Sequence, residues 1–143
     1  MILEVDIETL MVEIKRYIAV EDCGKMINPM IVEAQIHGGV SMGLGNAYYE
    51  KLHFDENGQI LNASLADYLI VTSYEMPQRI ETGHFETLSP LNPLGSKGVG
   101  EAGAIPVPAL FAQAMQNALY EFDFEILETP LSPNRMFELV NHL

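Results

Sequence analysis

Glu101 is the residue in this chain best placed to do chemistry. It stands in Leu94–Gly103, LGSKGVGEAG, among Gly95, Gly98, Gly100 and Gly103, with no other acid in the segment. A glycine-rich backbone carries little side chain, so another group can approach it closely. The chemistry open to Glu101 is that of a lone carboxylate, taking a proton or accepting hydrogen bonds. The competing reading is an inert acid near a helix N-terminus, favoured there by the helix dipole. Glycines on both sides weigh toward a site.

Gln35 is the second candidate, a polar residue on a helical stretch whose next turn is Gly38-Gly39. A buried amide there needs partners, supplied either by the core or by a ligand. His37, His53, His84 and His142 are scattered, and none has the i, i+4 partner of a metal-binding helix. His37, in the glycine-rich helix, reads first as a packed histidine and second as a ligand contact, and Cys23 reads as inert packing. The glycine loop also contains a literal G-x-G-x-x-G, Gly98–Gly103. A dinucleotide fingerprint needs an apolar strand just before it and a helix from its second glycine. Here Ser89-Pro90-Leu91-Asn92-Pro93 precedes it, and Pro106 and Pro108 fall where the helix should be running, so this is the weaker alternative. A phosphate loop of the Walker type fails, because Lys97 follows Ser96 and precedes Gly98.

The elements that must position these residues mix strands and helices without a regular βαβ beat, which predicts an α+β fold. Residues 2–20 read as paired strands around a turn at Asp6–Thr9. Val12–Lys15 alternates, and Tyr17–Val20 is continuously apolar, as in a strand entering a buried position. Asn28-Pro29 predicts a helix start, with Asn capping free N–H groups and Pro at the first helical position; the helix runs to about Tyr48. Gly38, Gly39, Gly43 and Gly45 lie inside it, each costing about 1 kcal/mol relative to alanine, so some close approach should compensate. Tyr48–Phe54 and Gln59–Ala63 read as strands flanking the Asn57-Gly58 turn. Asp67–Thr72 and Arg79–Leu88 read as further strands. A helix is predicted from Pro106 and Pro108 to about Phe122, with Phe111, Met115, Ala118 and Phe122 on its apolar face. A short strand at Phe124–Ile126 and a helix from Ser132-Pro133 to about Asn141 complete the chain.

With 143 residues and 48% apolar content, one core and a single domain are expected. The net charge is −13, with no cluster of Lys and Arg, so no nucleic-acid partner is expected. No apolar run is long enough for a membrane span, and the acidic start MILEVDIETLM does not resemble a signal peptide. A single cysteine and these absences point to the cytoplasm.

IAVEDCGKMINPMIVEAQIHGGVSMGLG (Ile18–Gly45), then DENG (Asp55–Gly58), then GSKGVGEAG (Gly95–Gly103), then TPLSPNRMFELV (Thr129–Val140) stand in an order that resembles one family. The chain resembles the C-terminal part of the molybdenum-binding large subunit of xanthine dehydrogenases and aldehyde oxidases, nearest the carbon monoxide dehydrogenase-like branch. The resemblance covers essentially the whole chain.

It implies that 1–143 is a C-terminal segment of a molybdopterin-binding domain. Glu101 falls on the family's general base beside the molybdenum, taking the proton from the attacking hydroxyl. Gln35, with Gly38 and Gly39, falls on the helix segment near the metal's oxo group. Ser96, Lys97 and Gly98 fall on a loop near the pterin, where backbone N–H groups can donate. The helix glycines would owe their presence to packing against that cofactor region. The implied cofactor is molybdenum-molybdopterin in its cytosine dinucleotide form. The implied partners are the N-terminal remainder of the large subunit on a separate chain, and iron–sulfur and FAD subunits. Met1 falls in what would be the middle of a domain, so the chain is expected to be a split-gene product, a remnant or an excised piece, self-associating when isolated and inactive alone. The expected reaction is oxidative hydroxylation of an aldehyde, heterocycle or similar small molecule; the rival is a non-catalytic remnant or assembly module of the same fold. Ile7 and Leu10 depart from the family, which has proline and glycine at those places of the first hairpin.

Overall fold

The computed structural model describes residues 1–142 and shows the expected α+β architecture. Strands β1 (Ile2–Val5), β2 (Val12–Glu21) and β3 (Ile80–His84) form one sheet in that order. β1 is antiparallel to β2, and β3 is parallel to it. The Arg16 guanidinium grips Glu81 with two hydrogen bonds of 2.6 and 2.9 Å and so pins β3 to β2.

The hairpin turn is held by Asp6, whose Oδ1 accepts from the amides of Glu8 and Thr9, each at 2.9 Å. Leu10, where the family's glycine would stand, has φ 58° and is buried. The left-handed conformation costs a non-glycine residue on the order of 1–2 kcal/mol, and burial of the leucine side chain offsets it.

A register irregularity between Ile2 and Leu3, opposite Ile14–Arg16, turns the inward face of β2 over. Ile14 faces the core before it, and Tyr17 and Ala19 after it. The continuous apolar run is therefore not buried on both sides: Ile18 and Val20 are 47% and 57% exposed on the outer face.

Helices α1 (Pro29–Leu44) and α2 (Val107–Ala118) pack on the inner face of the sheet, and a short α3 (Pro133–Val140) follows Leu131, whose amide donates to the Ala47 carbonyl at 2.7 Å, and buries Met136 in the core. The two cap-plus-proline starts form as expected. Asn28 accepts from the Ile31 amide at 3.4 Å, and Ser132 Oγ accepts from the Arg135 amide at 3.3 Å. The α1 helix ends in a π-helical turn, Gly45–Tyr49, closed by the Glu50 amide on the Gly45 carbonyl at 2.8 Å. In α2 the buried positions are Val107, Phe111 and Met115, continued by Leu119 beyond the helix end; Ala118 and Phe122 are exposed. The apolar face thus keeps a spacing of four.

Several expected strands do not form. The Asn57-Gly58 turn closes, with the Asp55 amide on the Gln59 carbonyl at 2.9 Å, but its arms keep only one bridge, Phe54 to Ile60. With no third strand beside it among the described residues, such a ribbon has little to hold it. Asp67–Thr72 and Phe124–Ile126 are irregular, and Arg79–Leu88 pairs only over Ile80–His84.

Candidate functional site

Two segments carrying the candidate residues leave the same end of the sheet. The 22–28 loop and α1 follow the C-terminal end of β2; the 85–106 segment and α2 follow the C-terminal end of its parallel neighbour β3. Crevices outside the carboxyl ends of parallel strands are where open sheets hold ligands.

At the base of the glycine loop the segments are sewn together. Gly24 bridges Ser96, the Lys25 amide donates to the Gly95 carbonyl at 3.1 Å, and the Lys97 amide donates to the Cys23 carbonyl at 2.7 Å. Gly24 has φ 63°, and a Cβ there would lie 2.2 Å from the Gly95 carbonyl oxygen, so glycine is required twice over. Cys23 is buried beside this seam.

At its tip the loop lies directly on α1. A Cβ on Gly103 would stand 2.5 Å from the Ile36 carbonyl oxygen, and one on Gly39 would stand 2.9 Å from the Gly103 and Ala104 backbone. Gly43 is in similar contact with Val107 and Ala104. This corrects the expectation that a cofactor accounts for the glycines of α1. Gly39 and Gly43 are filled by the protein's own 103–107 segment, Gly45 packs against Glu50, and only Gly38 faces open space.

The close packing brings Gln35 to the loop. A Cβ on Gly100 would lie 3.9 Å from Gln35 Nε2, one residue before Glu101. Gln35 is exposed rather than buried, so it is not a core amide. The Glu101 carbonyl accepts from the amides of Ala104 and Ile105 at 2.9 and 3.2 Å, which fixes its backbone at the start of a turn. Its carboxylate is exposed, and among the described residues neither it nor the Gln35 amide has a hydrogen-bond partner.

The neighbouring loop residues are differently engaged. The Ser96 amide donates to Asn92 Oδ1 at 3.2 Å, and Asn92 Nδ2 donates back to the Ser96 carbonyl at 2.9 Å. Lys97 directs its ammonium to Asp22 Oδ2 at 3.2 Å and to the Thr87 hydroxyl. Gly98 is exposed, with nothing within 4 Å of where a Cβ would be. Its N–H makes no hydrogen bond among the described residues. The Thr87 hydroxyl, then the Gly24 amide, hold the Asp22 carboxyl well below the usual carboxylate range.

Sequence reasoning missed Asp22 and Thr87. The one readable signal was Asp22-Cys23-Gly24, the pattern of an Asx turn, which forms with the Gly24 amide on Asp22 Oδ1 at 2.9 Å. His84 also went unassigned: both its ring nitrogens are buried without a partner, beside a Glu21 whose carboxyl burial pushes up. His37 is exposed on α1.

The loop does not build a dinucleotide fold. No strand leads directly into Gly98, since β3 ends at His84, and α2 begins at Val107 rather than at Gly100. Among the described residues no three His, Cys, Asp or Glu side chains converge to hold a metal. A wide cleft of about 890 Å³ lies along the outer side of α2, by Leu110, Gln113 and Tyr120, and includes none of the candidate residues. The Gln35–Glu101 region is an open wall. The bare backbone at Gly38 and Gly98, with two polar side chains free of protein partners, fits a group that approaches closely and takes hydrogen bonds.

The molybdopterin cofactor-binding domain family matches residues 1–77. The large subunit of nicotine 6-hydroxylase from Paenarthrobacter nicotinovorans is 39% identical over 136 residues, 95% of this chain and 16% of that protein. The carbon monoxide dehydrogenase large chain of Afipia carboxidovorans is 33% identical over 142 residues, 99% of this chain and 17% of that protein. Quinoline 2-oxidoreductase from Pseudomonas putida superimposes with a TM-score of 0.92 at 41% identity, covering 97% of this chain and 18% of that one. This chain therefore spans about one sixth of the length of the relatives it matches.

Proposed function

Since this chain belongs to the molybdopterin cofactor-binding family, that of the large subunits of molybdenum hydroxylases, we propose that it forms one wall of a molybdopterin site and supplies Glu101 as general base. The observation that carries this reading is the placement of Glu101. Its carboxylate is exposed and, among the described residues, free of protein partners, on a backbone locked against α1 beside Gln35.

The molybdenum-pterin group, when bound, supplies two-electron redox chemistry and the oxygen to be transferred. The residues of this chain do the rest. Glu101 takes the proton from the attacking oxygen at a carboxylate oxygen that no protein donor occupies. Gln35 offers both a donor and an acceptor one loop residue away and orients the polar edge of the bound group. The Gly98 N–H donates toward the pterin, and Gly38 leaves α1 bare where the group approaches. Gly39 acts from behind, by setting the distance between α1 and the loop. Ser96 and Lys97 use their own N–H groups to hold the loop's shape and so support Gly98 rather than donate to the cofactor.

An open wall needs a facing one. The remainder of a large subunit would provide it, with iron–sulfur and FAD subunits carrying electrons away. The cytosine dinucleotide form of the pterin, a cytoplasmic location and an aldehyde, heterocycle or similar small substrate belong to the same proposal. The names of the nicotine, quinoline and carbon monoxide relatives support that range.

Co-expression of this chain with the remainder of a large subunit tests the cofactor role, read as molybdenum and pterin content. Both should be retained with the chain and lost without it. Equal content either way would favour the second reading, a non-catalytic remnant of the fold.

A further inference from the structure

We propose that Asp22 is the positioning residue of the glycine loop, the group that fixes where Glu101 stands relative to Gln35. This rests on the reading of Glu101 as the base.

Four donors converge on one carboxylate. Asp22 Oδ1 accepts from the Gly24 amide at 2.9 Å and the Thr87 amide at 3.2 Å, and Oδ2 accepts from the Lys97 ammonium at 3.2 Å and from the Thr87 hydroxyl. The donors come from three different stretches of chain: the 22–28 loop, the segment after β3, and the glycine loop itself. Lys97 also donates to the Thr87 hydroxyl, which closes a ring of three side chains.

The ring stands at the seam where the Lys97 amide meets the Cys23 carbonyl and the Gly95 carbonyl receives the amides of Lys25 and Ser89. Three residues separate Lys97 from Glu101, and two of them, Gly98 and Gly100, offer no side chain to hold a course. The loop is held by the contact of Gly103 with Ile36 at its far end, by half-buried Val99 against the core in its middle, and by this ring at its near end, the one of the three that ties it to the segment after β3. A lone exposed ion pair holds little. Here the carboxylate is shared by two backbone amides, a hydroxyl and an ammonium, so its charge organises both loops at once.

Asp22→Asn keeps the shape and one acceptor oxygen while removing the charge. In the assembled large subunit, hydrogen exchange at the amides of Lys25, Lys97, Ala102 and Ala104 should accelerate at least about 10-fold, with the amides inside α2 unchanged. The turnover number should fall about 10- to 100-fold, as a base displaced by up to an ångström would lose it, while KM and molybdenum content stay within about twofold. Thr87→Val should reproduce the effect, and Thr87→Ser should restore it. Unchanged loop exchange in both Asp22→Asn and Thr87→Val overturns the proposal. Acceleration spread evenly over the whole chain also overturns it, since that marks a general stabilising role. If Asp22→Asn fails to fold, Thr87→Val decides by the same loop readout. Glu101→Gln run in parallel separates the two claims. Full turnover there removes the base reading, whereas the exchange data still judge the loop.

Discussion

Gly38 and Gly39 are adjacent in α1, yet alanine at each should have opposite effects. Nothing lies within 4 Å of a Cβ on Gly38, so Gly38→Ala gains the helix propensity of alanine, about 1 kcal/mol, at no steric cost. A Cβ on Gly39 would meet the Gly103 and Ala104 backbone at 2.9 Å, whereas ordinary contact begins at 3.4 Å. The loop must retreat by roughly half an ångström, against backbone that cannot rotate away. Overpacking of this kind costs about 1–3 kcal/mol, so the propensity gain leaves Gly39→Ala about 0–2 kcal/mol less stable than the parent. The two variants should differ by about 1–3 kcal/mol. With a urea slope of about 2 kcal/mol per molar, their midpoints should lie roughly 1 M apart at unchanged slope. In the assembled subunit the order reverses for cofactor content: Gly38→Ala places a methyl group on the open wall and should lower bound molybdenum, while Gly39→Ala should lower turnover more than content. Coincident urea midpoints would refute the packing argument. Full molybdenum content in Gly38→Ala would refute the assignment of that face to the cofactor.

Two further outcomes follow from the packing. Burial, reinforced at Tyr48 by Tyr49 and at Tyr49 by Glu75, pushes the Tyr48 and Tyr49 phenols up to about 12, from near 10 in an unfolded chain. Their contribution is complete below pH 10 and lost as pH rises through 12, so the unfolding midpoint should be flat from pH 7 to 9 and fall steeply beyond 10, with phenolate absorbance appearing as structure is lost. Phenols that ionise near pH 10 in an intact fold would contradict this burial. The isolated chain should also self-associate, because large apolar side chains are exposed, among them Ile18 and Val20 on the outer sheet face, Leu65, Tyr74 and Leu91. Sedimentation that stays monomeric at high concentration would count against that.

Much of the fold was readable where one residue dictates local geometry. Asn28-Pro29 and Ser132-Pro133 start helices because cap and ring act within one turn. The candidate site was readable in its residue types, since the sparse loop around Glu101 and the Gln35 turn are local patterns. Misreadings arose where distant partners decide. The irregularity opposite Ile14–Arg16 depends on β1 and turns Ile18 and Val20 outward, which no run of apolar residues reveals. The arms of the Asn57-Gly58 turn alternate well enough, but a strand needs a neighbour and none is there. The ring of Asp22, Thr87 and Lys97 joins residues 65 and 75 positions apart, and composition at one of them says nothing of the others. The glycines of α1 were legible as a cost, but the partner of Gly39 and Gly43 was the chain's own 103–107 segment.

The most direct test of the account is the turnover of Glu101→Gln in the assembled large subunit, normalised to bound molybdenum. Glutamine keeps the size of the side chain and removes its basicity, so molybdenum content should match the parent while turnover falls on the order of 10²- to 10⁴-fold. Turnover near the parent's at equal molybdenum content would contradict the role of Glu101 as the base.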